Sequence, residues 1–326
     1  MKICFLDNVK TSYTSKDIYT NKIRGAENVV VNLSIELSKL NHDVIIYNNC
    51  EGNININNVN WININSITDN PHYDLAISNN DIRLFDKINA SKKVTISNSI
   101  QSIEKFIRKG QFYAFFKHKP KIALLSKYHR DNRNFLLRMY GSFNTDWAVD
   151  DIFLESKINK NVINNQAIFT SYSDRNLNLL IKIWKEHIHP RENNKKLLIT
   201  PINNDYTKYN IFNREFGDKS KLVSDISSSR LFLIPGHKAE LYCLSAEEAR
   251  ELCVPIITLG IGCLKERVEH EKTGLIANNE KEFADYTVKL FNDDNTWNNM
   301  RKNLLNLKGS KKWKNAALQF LKNACE

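Results

Sequence analysis

The sequence predicts an α/β protein of two Rossmann-like domains with parallel sheets. Three observations carry this. Short apolar runs alternate with amphipathic helical segments along nearly the whole chain. A polar stretch near the middle, about 146–165, interrupts that alternation. The length of 326 residues suits two domains of ordinary size better than one.

The first half opens on the strand Ile3–Leu6, followed by a polar loop that ends near Gly25. From Ala26 to Leu40, apolar Val29, Val30, Leu33, Leu37 and Leu40 recur at helical spacing, and Asn41-His42 closes the helix. Val44–Tyr47 is the next strand, and the strand–helix–strand order predicts parallel pairing. The run Asn53–Asn65 alternates Asn with apolar residues at period two, which predicts one half-buried strand or a pair of edge strands. Leu75–Ser78, Lys93–Ile96 and Ile122–Leu125 supply further strands. The domains are assigned as 1–155 and 156–326, the latter ending in helices that pack back toward the first domain.

In the second half, Ala167–Phe169 opens a new unit, with strands also at Leu197–Thr200, Leu231–Ile234 and Pro255–Thr258. Helices are expected at Leu177–Trp184, Lys221–Ser229, Ser245–Leu252 and Glu280–Phe291. Thr296–Ala324 reads as a helix pair with its cations in water, and no internal repeat occurs at solenoid spacing.

The formal net charge is +11, which favours anionic partners such as nucleotides or lipid headgroups. Nucleic acid is disfavoured as a partner, since no helix-turn-helix, finger or RNA-binding signature is present. The six cysteines include no C-x-x-C pair, and no histidine stands at zinc-ligand spacing from two of them. Reduced, buried thiols in a cytoplasmic protein are therefore expected. No D-x-D triplet occurs, and neither metal nor cofactor is expected. The first apolar run is too short for a signal-peptide core, and no run approaches the ~20 residues that cross a bilayer. Membrane contact would then be peripheral, at the inner face. Lys105–Lys121, where cations alternate with Phe106, Phe112, Tyr113, Phe115 and Phe116, is the segment that would make it, although a helix burying those rings is the favoured reading.

The chemistry concentrates in Pro235-Gly-His-Lys-Ala-Glu240-Leu-Tyr-Cys-Leu-Ser-Ala-Glu-Glu248. A strand ends at Pro235 and a helix starts near Leu244, so Glu240 lies in the loop and Glu248 one turn inside the helix. Amides at a helix start lack intrahelical acceptors, and the helix dipole favours an anion there. Carboxylates on either side of such a site can accept hydroxyl groups. One short segment is thus suited to the sugar, diphosphate and ribose of a nucleotide-sugar.

After that helix the chain reads Cys253-Val-Pro-Ile-Ile-Thr258, then Gly260-Ile-Gly-Cys-Leu-Lys-Glu266-Arg-Val, then Lys272-Thr-Gly274-Leu-Ile. Together with the glutamate segment, this block resembles the nucleotide-sugar domain of the GT4-like group 1 glycosyltransferases. These are retaining enzymes of the two-domain GT-B fold. Gly25-Ala-Glu27-Asn-Val-Val resembles the family's first glycine-rich helix start, Asn41-His-Asp-Val its following strand entry, and Phe169–Leu177 with Trp184 the opening of its second domain.

The resemblance implies transfer of a sugar, of hexosyl type, from a nucleotide-diphosphate-sugar to a glycan, lipid-linked or other small acceptor, with retention, without metal, and in cell-surface glycan assembly. Glu240 would hold the donor sugar and Glu248 the ribose. Arg175 would stabilise the diphosphate, and Gly25 would let the first-domain loop approach the donor. Amides of Tyr242, Cys243 and Leu244 would meet phosphate or sugar, and Lys238 in the same loop is a further donor contact. The donor would bind the second domain and the acceptor the first.

Three departures from the family pattern stand beside this. Thr170 occupies the place of a second phosphate cation, Arg24-Gly25 that of a glycine pair, and Ile96-Ser-Asn98-Ser-Ile-Gln101 the neighbourhood of a sugar-facing histidine. Asn98 and His129 are the candidates on the acceptor or sugar side. A catalytically inactive relative that binds sugar-nucleotides or assists assembly is the alternative. The base, sugar and acceptor are not specified by these residues.

Overall fold

The computed structural model describes residues 1–18 and 23–326, so positions 19–22 of the first polar loop lie outside the described residues. The chain divides into two compact units, 1–148 with 313–326, and 149–312.

The first unit runs β1 (Lys2–Leu6), α1 (Gly25–Lys39), β2 (Asp43–Asn48), β3 (Ile54–Ile56), β4 (Val59–Asn63), β5 (His72–Asn79), β6 (Asn89–Ile96), α2 (Ile103–Arg108), α3 (Phe112–His118), β7 (Lys121–Leu124), α4 (Lys127–Asp131) and β8 (Ser142–Asn144). The strands form one sheet in the order β3-β4-β2-β1-β5-β6-β7-β8. Every pair is parallel except β3–β4, where the Asn-rich run folds on itself into an antiparallel pair. Asn57 and Asn58 make that reversal with φ of 57° and 58°, a left-handed turn that asparagine tolerates better than most residues. The central strands are buried on both faces: Ile3, Cys4, Phe5 and Leu6 of β1 are all inaccessible, as covered parallel sheets require.

The second unit runs α5 (Asp151–Glu155), β9 (Ile163–Ile168), α6 (Leu177–Ile183), β10 (Lys196–Ile199), β11 (Ile211–Asn213), α7 (Lys219–Ser228), β12 (Ser229–Leu233), α8 (Leu244–Glu251), β13 (Ile256–Thr258), β14 (Gly274–Ile276), α9 (Glu280–Asn292) and α10 (Asp294–Leu307). α6 continues as a π-helical turn over Trp184–Ile188. The sheet is wholly parallel, in the order β11-β10-β9-β12-β13-β14. Counted from β9, this is the doubly wound 3-2-1-4-5-6 order.

The last helix, α11 (Trp313–Cys325), belongs to the first unit. Trp313 and Phe320 lie against Trp147, with ring centroids 6.1 and 5.8 Å apart, and Lys121 Nζ donates to the Asn323 carbonyl at 2.8 Å. The division therefore falls at 148/149, with only α11 grouped with the first unit, whereas the sequence assignment placed the boundary at 155/156.

Three strands and two five-residue helices, α4 and α5, escape the sequence reading. β8, β11 and β14 have three residues each and sit at sheet edges, too short to show a period. α5 is a five-residue helix in the stretch expected to be irregular, anchored by buried Phe153.

A buried cation ties α10 to the second sheet. Arg230 of β12 is inaccessible; its Nε donates to the Leu290 carbonyl at 2.8 Å and its Nη2 meets Asp294 at 2.6 Å. Its guanidinium lies over Trp297, whose indole NH donates back to the Arg230 carbonyl. Asp294 is largely exposed, so the ion pair is worth little and the buried hydrogen bonds most. Arg230→Met should lower unfolding free energy by about 1–3 kcal/mol, and Asp294→Asn by less than about 1 kcal/mol. Urea titration of the whole chain checks both, and equal losses would contradict this division of the energy.

Candidate active site

In doubly wound sheets the binding crevice lies beyond the carboxyl ends of the strands where strand order reverses. In the second unit that point is between β9 and β12. The chain leaving β9 carries Thr170 and Arg175, and the chain leaving β12 carries Glu240. The two meet: Arg175 Nε stands 3.6 Å from Glu240 Oε2, and Arg175 Nη1 stands 3.5 Å from Asp174 Oδ2. Asn176, held at φ 63°, donates its side-chain amide to the Gly236 carbonyl, joining the two segments directly.

The loop 235–243 is shaped by two glycines. Gly236 has φ 96°, and a Cβ there would stand 2.6 Å from the Ile261 carbonyl oxygen. Gly262 has φ 74°, and a Cβ would stand 2.4 Å from the His237 carbonyl oxygen and 2.7 Å from that of Glu240. Two chain segments therefore lie backbone to backbone, fastened by Leu259 N–H to Pro235 O at 3.1 Å and Cys263 N–H to Glu240 O at 3.0 Å. Cys243 then turns through φ 63° and α8 begins at Leu244. The side chains of Tyr242 and Cys243 are buried, so this turn can offer a ligand only backbone groups. Leu244 is half-buried at the helix start, and Lys238 is exposed at the loop's tip.

Two oxygen atoms at this place are buried without a hydrogen-bond partner, Thr170 Oγ1 and Glu240 Oε2. Buried polar atoms are rarely left so unless a ligand or water completes them. Burial raises the Glu240 pKa above its ordinary value, and the Arg175 charge works against that rise. Thr170 was read from sequence only as a lost cation; its orphaned hydroxyl is visible only in three dimensions.

The acids of α8 are sorted by the helix. Glu247 is buried, with Arg267 Nη1 at 2.9 Å from one oxygen and Arg250 Nη1 at 3.0 Å from the other. Arg267 in turn covers the Tyr242 ring, 4.2 Å from its centroid. Glu251, one turn on, is inaccessible, pairs with Arg250 at 2.8 Å and accepts from the Gly309 amide at 2.7 Å. Glu248 faces another way. It is half-buried, and its pKa is raised to about 7, by burial first and by Asp150 second, while Lys219 and Arg214 oppose the rise. Lys219 and Arg214 are themselves ion-paired, to Asp150 and Asp225.

The first unit has its own reversal point, between β1 and β5. A cavity of about 740 Å³ opens there, lined among others by Asn8, Asn79, Asn80 and Asn98. Asn98 donates to Asn79 Oδ1 at 2.6 Å, and Asn79 donates to buried Asp7 at 2.8 Å. Ala26 of α1 lines the same cavity. Gly25 beside it is the first residue of α1 and has no positive φ, so its backbone conformation does not demand glycine.

His129 does not reach this cavity. It is inaccessible, its Nδ1 accepts from the Leu125 amide at 3.3 Å, and its Nε2 lies 3.1 Å from the Ser99 carbonyl oxygen. Burial lowers its pKa to about 4. Both ring nitrogens are occupied, and the sequence assignment of His129 to the sugar side is corrected to a neutral core histidine.

The aromatics of 105–121 are likewise mostly internal. Phe106 and Phe115 are buried in contact with each other, and Phe112, Phe116 and Tyr140 pack around them, which leaves Tyr113 exposed. Among the described residues no helix is long and apolar enough to cross a membrane, and no group of three or more His, Cys, Asp or Glu is gathered for a metal.

Glu248 makes stability depend on pH. Its folded pKa lies above the ordinary value of 4.5, so its contribution is complete below pH 4.5 and is lost as pH rises through about 7. Wild type should therefore lose about 1–2 kcal/mol relative to Glu248→Gln between pH 5 and pH 8, the full shift being reduced by solvent screening. Glu247→Gln, by contrast, should cost about 3–5 kcal/mol at pH 7, since it disrupts a buried ion network. Parallel unfolding curves of the three proteins across pH decide both points.

Comparison with known proteins agrees with this architecture. Residues 191–306 match the family model for glycosyl transferases group 1. HepE of Anabaena in complex with UDP and glucose is similar over 100% of both chains, with TM-score 0.72 and 12% identity. Sucrose-phosphate synthase of Thermosynechococcus elongatus is similar over 99% of this chain and 98% of that one, with TM-score 0.68 and 13% identity. WaaG, a glycosyltransferase involved in lipopolysaccharide biosynthesis, is similar over 97% and 98%, with TM-score 0.67 and 11% identity. The curated protein sequences give no match. The fold is that of the GT-B glycosyltransferases, and residues 191–306 of the second unit match the group 1 glycosyl transferase family.

Proposed function

We propose that the protein transfers a sugar from a nucleoside-diphosphate-sugar bound by the second unit to an acceptor bound by the first. The carrying observation is the meeting of Arg175 and Glu240 at the reversal point of the second sheet, beside the start of α8 and two orphaned oxygens. HepE, of similar fold, is described in complex with UDP-glucose, which makes a uridine donor the first to test.

In this reading the diphosphate lies at the start of α8, where free amides and the helix dipole favour its charge. Glu240 accepts donor-sugar hydroxyls and Glu248 accepts ribose hydroxyls, both as carboxylates. Arg175 faces the diphosphate and offsets the charge that develops on it as the glycosidic bond breaks. Retention of anomeric configuration and independence from metal belong to the same proposal. The intact Glu240, Glu248 and Arg175 favour an active enzyme over a binding protein.

Two measurements test this. Arg175→Ala should lower kcat by about 10²–10³ while weakening binding of the unreacted donor much less, because the charge develops in the transition state. Arg175→Lys should recover part of the loss, keeping charge without the planar fork. Equal losses in kcat and affinity would reduce Arg175 to a binding residue, and activity abolished by EDTA and restored by Mg²⁺ would assign charge stabilisation to a metal. Glu248→Ala should weaken nucleoside diphosphate binding by about 1.5–3 kcal/mol. In wild type that affinity should rise as pH passes upward through about 7 and Glu248 ionises. A pH-independent affinity in calorimetric titrations would remove Glu248 from the ribose site.

A further inference from the structure

We propose that the cavity of the first unit takes an acceptor sugar bearing an anionic group, phosphate or carboxylate, held by Arg108 and Lys109 while Asn8 and Asn98 read its hydroxyls. This rests on the reading of the chain as a transferase and names the substrate class of its acceptor site.

The charged lining of the cavity is Asp81, Arg83, Arg108 and Lys109. Asp81 is committed: Arg83 binds it through Nε at 2.9 Å and Nη2 at 2.7 Å. Arg108 and Lys109 are exposed and form no ion pair with a carboxylate among the described residues. Lys105, one turn earlier on α2, lines the adjoining recess together with Lys109, and it too has no carboxylate partner there. Its pKa is lowered by burial and then by Lys109 and Arg108, so these cations repel one another across a short distance. Three cations with no carboxylate partner among the described residues thus line the cavity and its adjoining recess, and an anion there relieves their repulsion.

A bare anion does not account for the rest. About 740 Å³ is the size of a small-molecule site, far larger than a phosphate. The amide groups of Asn8 and Asn98 donate inward, at 3.1 Å to Asp81 and 2.6 Å to Asn79, and this fixes their rotamers. Their carbonyl oxygens accept no hydrogen bond among the described residues, and both residues line the cavity. Fixed amide carbonyls are suited to sugar hydroxyls. A lipid surface is the weaker occupant, because most of the aromatic rings that would enter it are packed in the core.

The test is calorimetric titration of the full chain with glucose 1-phosphate, glucuronate, glucose and inorganic phosphate, with phosphatidylglycerol vesicles as a further probe. The anionic sugars should bind at least about 10-fold more tightly than glucose, the scale of one charge-assisted hydrogen bond. In the Arg108→Gln, Lys109→Gln double variant that preference should fall to within about 2-fold, with UDP affinity unchanged. Equal binding of glucose and the anionic sugars, or a preference that survives the double variant, overturns the proposal. Inorganic phosphate binding as tightly as glucose 1-phosphate overturns it in favour of a bare anion site. Vesicle binding without sugar-phosphate binding overturns it in favour of a membrane surface. Failure to bind UDP while the anionic-sugar preference persists overturns the transferase reading and leaves the anionic-sugar site standing.

Discussion

The candidate site of the second unit depends on the absence of a side chain at Gly262. A single Cβ there would collide with two carbonyl oxygens of the loop that carries Glu240. Because it is absent, loop 235–243 lies directly on 259–263 and hydrogen-bonds to it. That contact sets the height of Glu240 above the sheet and the direction in which the chain enters α8. The Glu240 carboxyl, the left-handed turn at Cys243 and the start of α8 are all placed by it. A group held by backbone packing loses little entropy on binding, which is how a polar site is kept ready for a charged ligand.

Underneath, a second device separates structural charge from functional charge. Three glutamates lie within five residues of α8, and the helical period turns two of them inward. Glu247 and Glu251 enter a buried network with Arg250 and Arg267, and Arg267 clamps Tyr242 at the entrance to the helix. Glu248, on the other face, keeps a raised pKa and no buried counter-charge as close as theirs. The acids that hold the helix and the acid proposed to hold the ligand are thus neighbours in sequence with opposite environments.

The same topological logic operates twice. Each sheet reverses strand order once, and at each reversal the chain ends diverge and leave polar residues at the carboxyl edge. In the second unit those residues are Thr170, Arg175 and Glu240. In the first they are asparagines, anchored through Asn79 to the buried Asp7 carboxylate, whose pKa burial raises against the hydrogen bonds it accepts from Tyr13 and Asn79. The second set is charged and the first mainly amide-bearing.

Local patterning by itself determined the principal elements. Long strands and helices such as β1, α1, α9 and α10 show their period directly, because burial on one face or both is written into residue spacing. Spacing also placed Glu240 and Glu248 on either side of a helix start, since that depends only on where the helix begins. What tertiary structure alone decided is every property that needs a second segment. The edge strands β8, β11 and β14 exist only because a neighbour supplies hydrogen bonds. Of the last helices that the sequence reading turned back toward the first domain, it is α11 alone that joins the first unit, because Trp147 and Phe143 receive Trp313 and Phe320. His129 has a lowered pKa because the fold buries it, with Ser99 from thirty residues away at one ring nitrogen, and Thr170 becomes an orphaned hydroxyl only where β9 and β12 bring their ends together. Period and spacing are local quantities; burial, charge state and pairing are set by atoms far along the chain, and a linear pattern does not carry them.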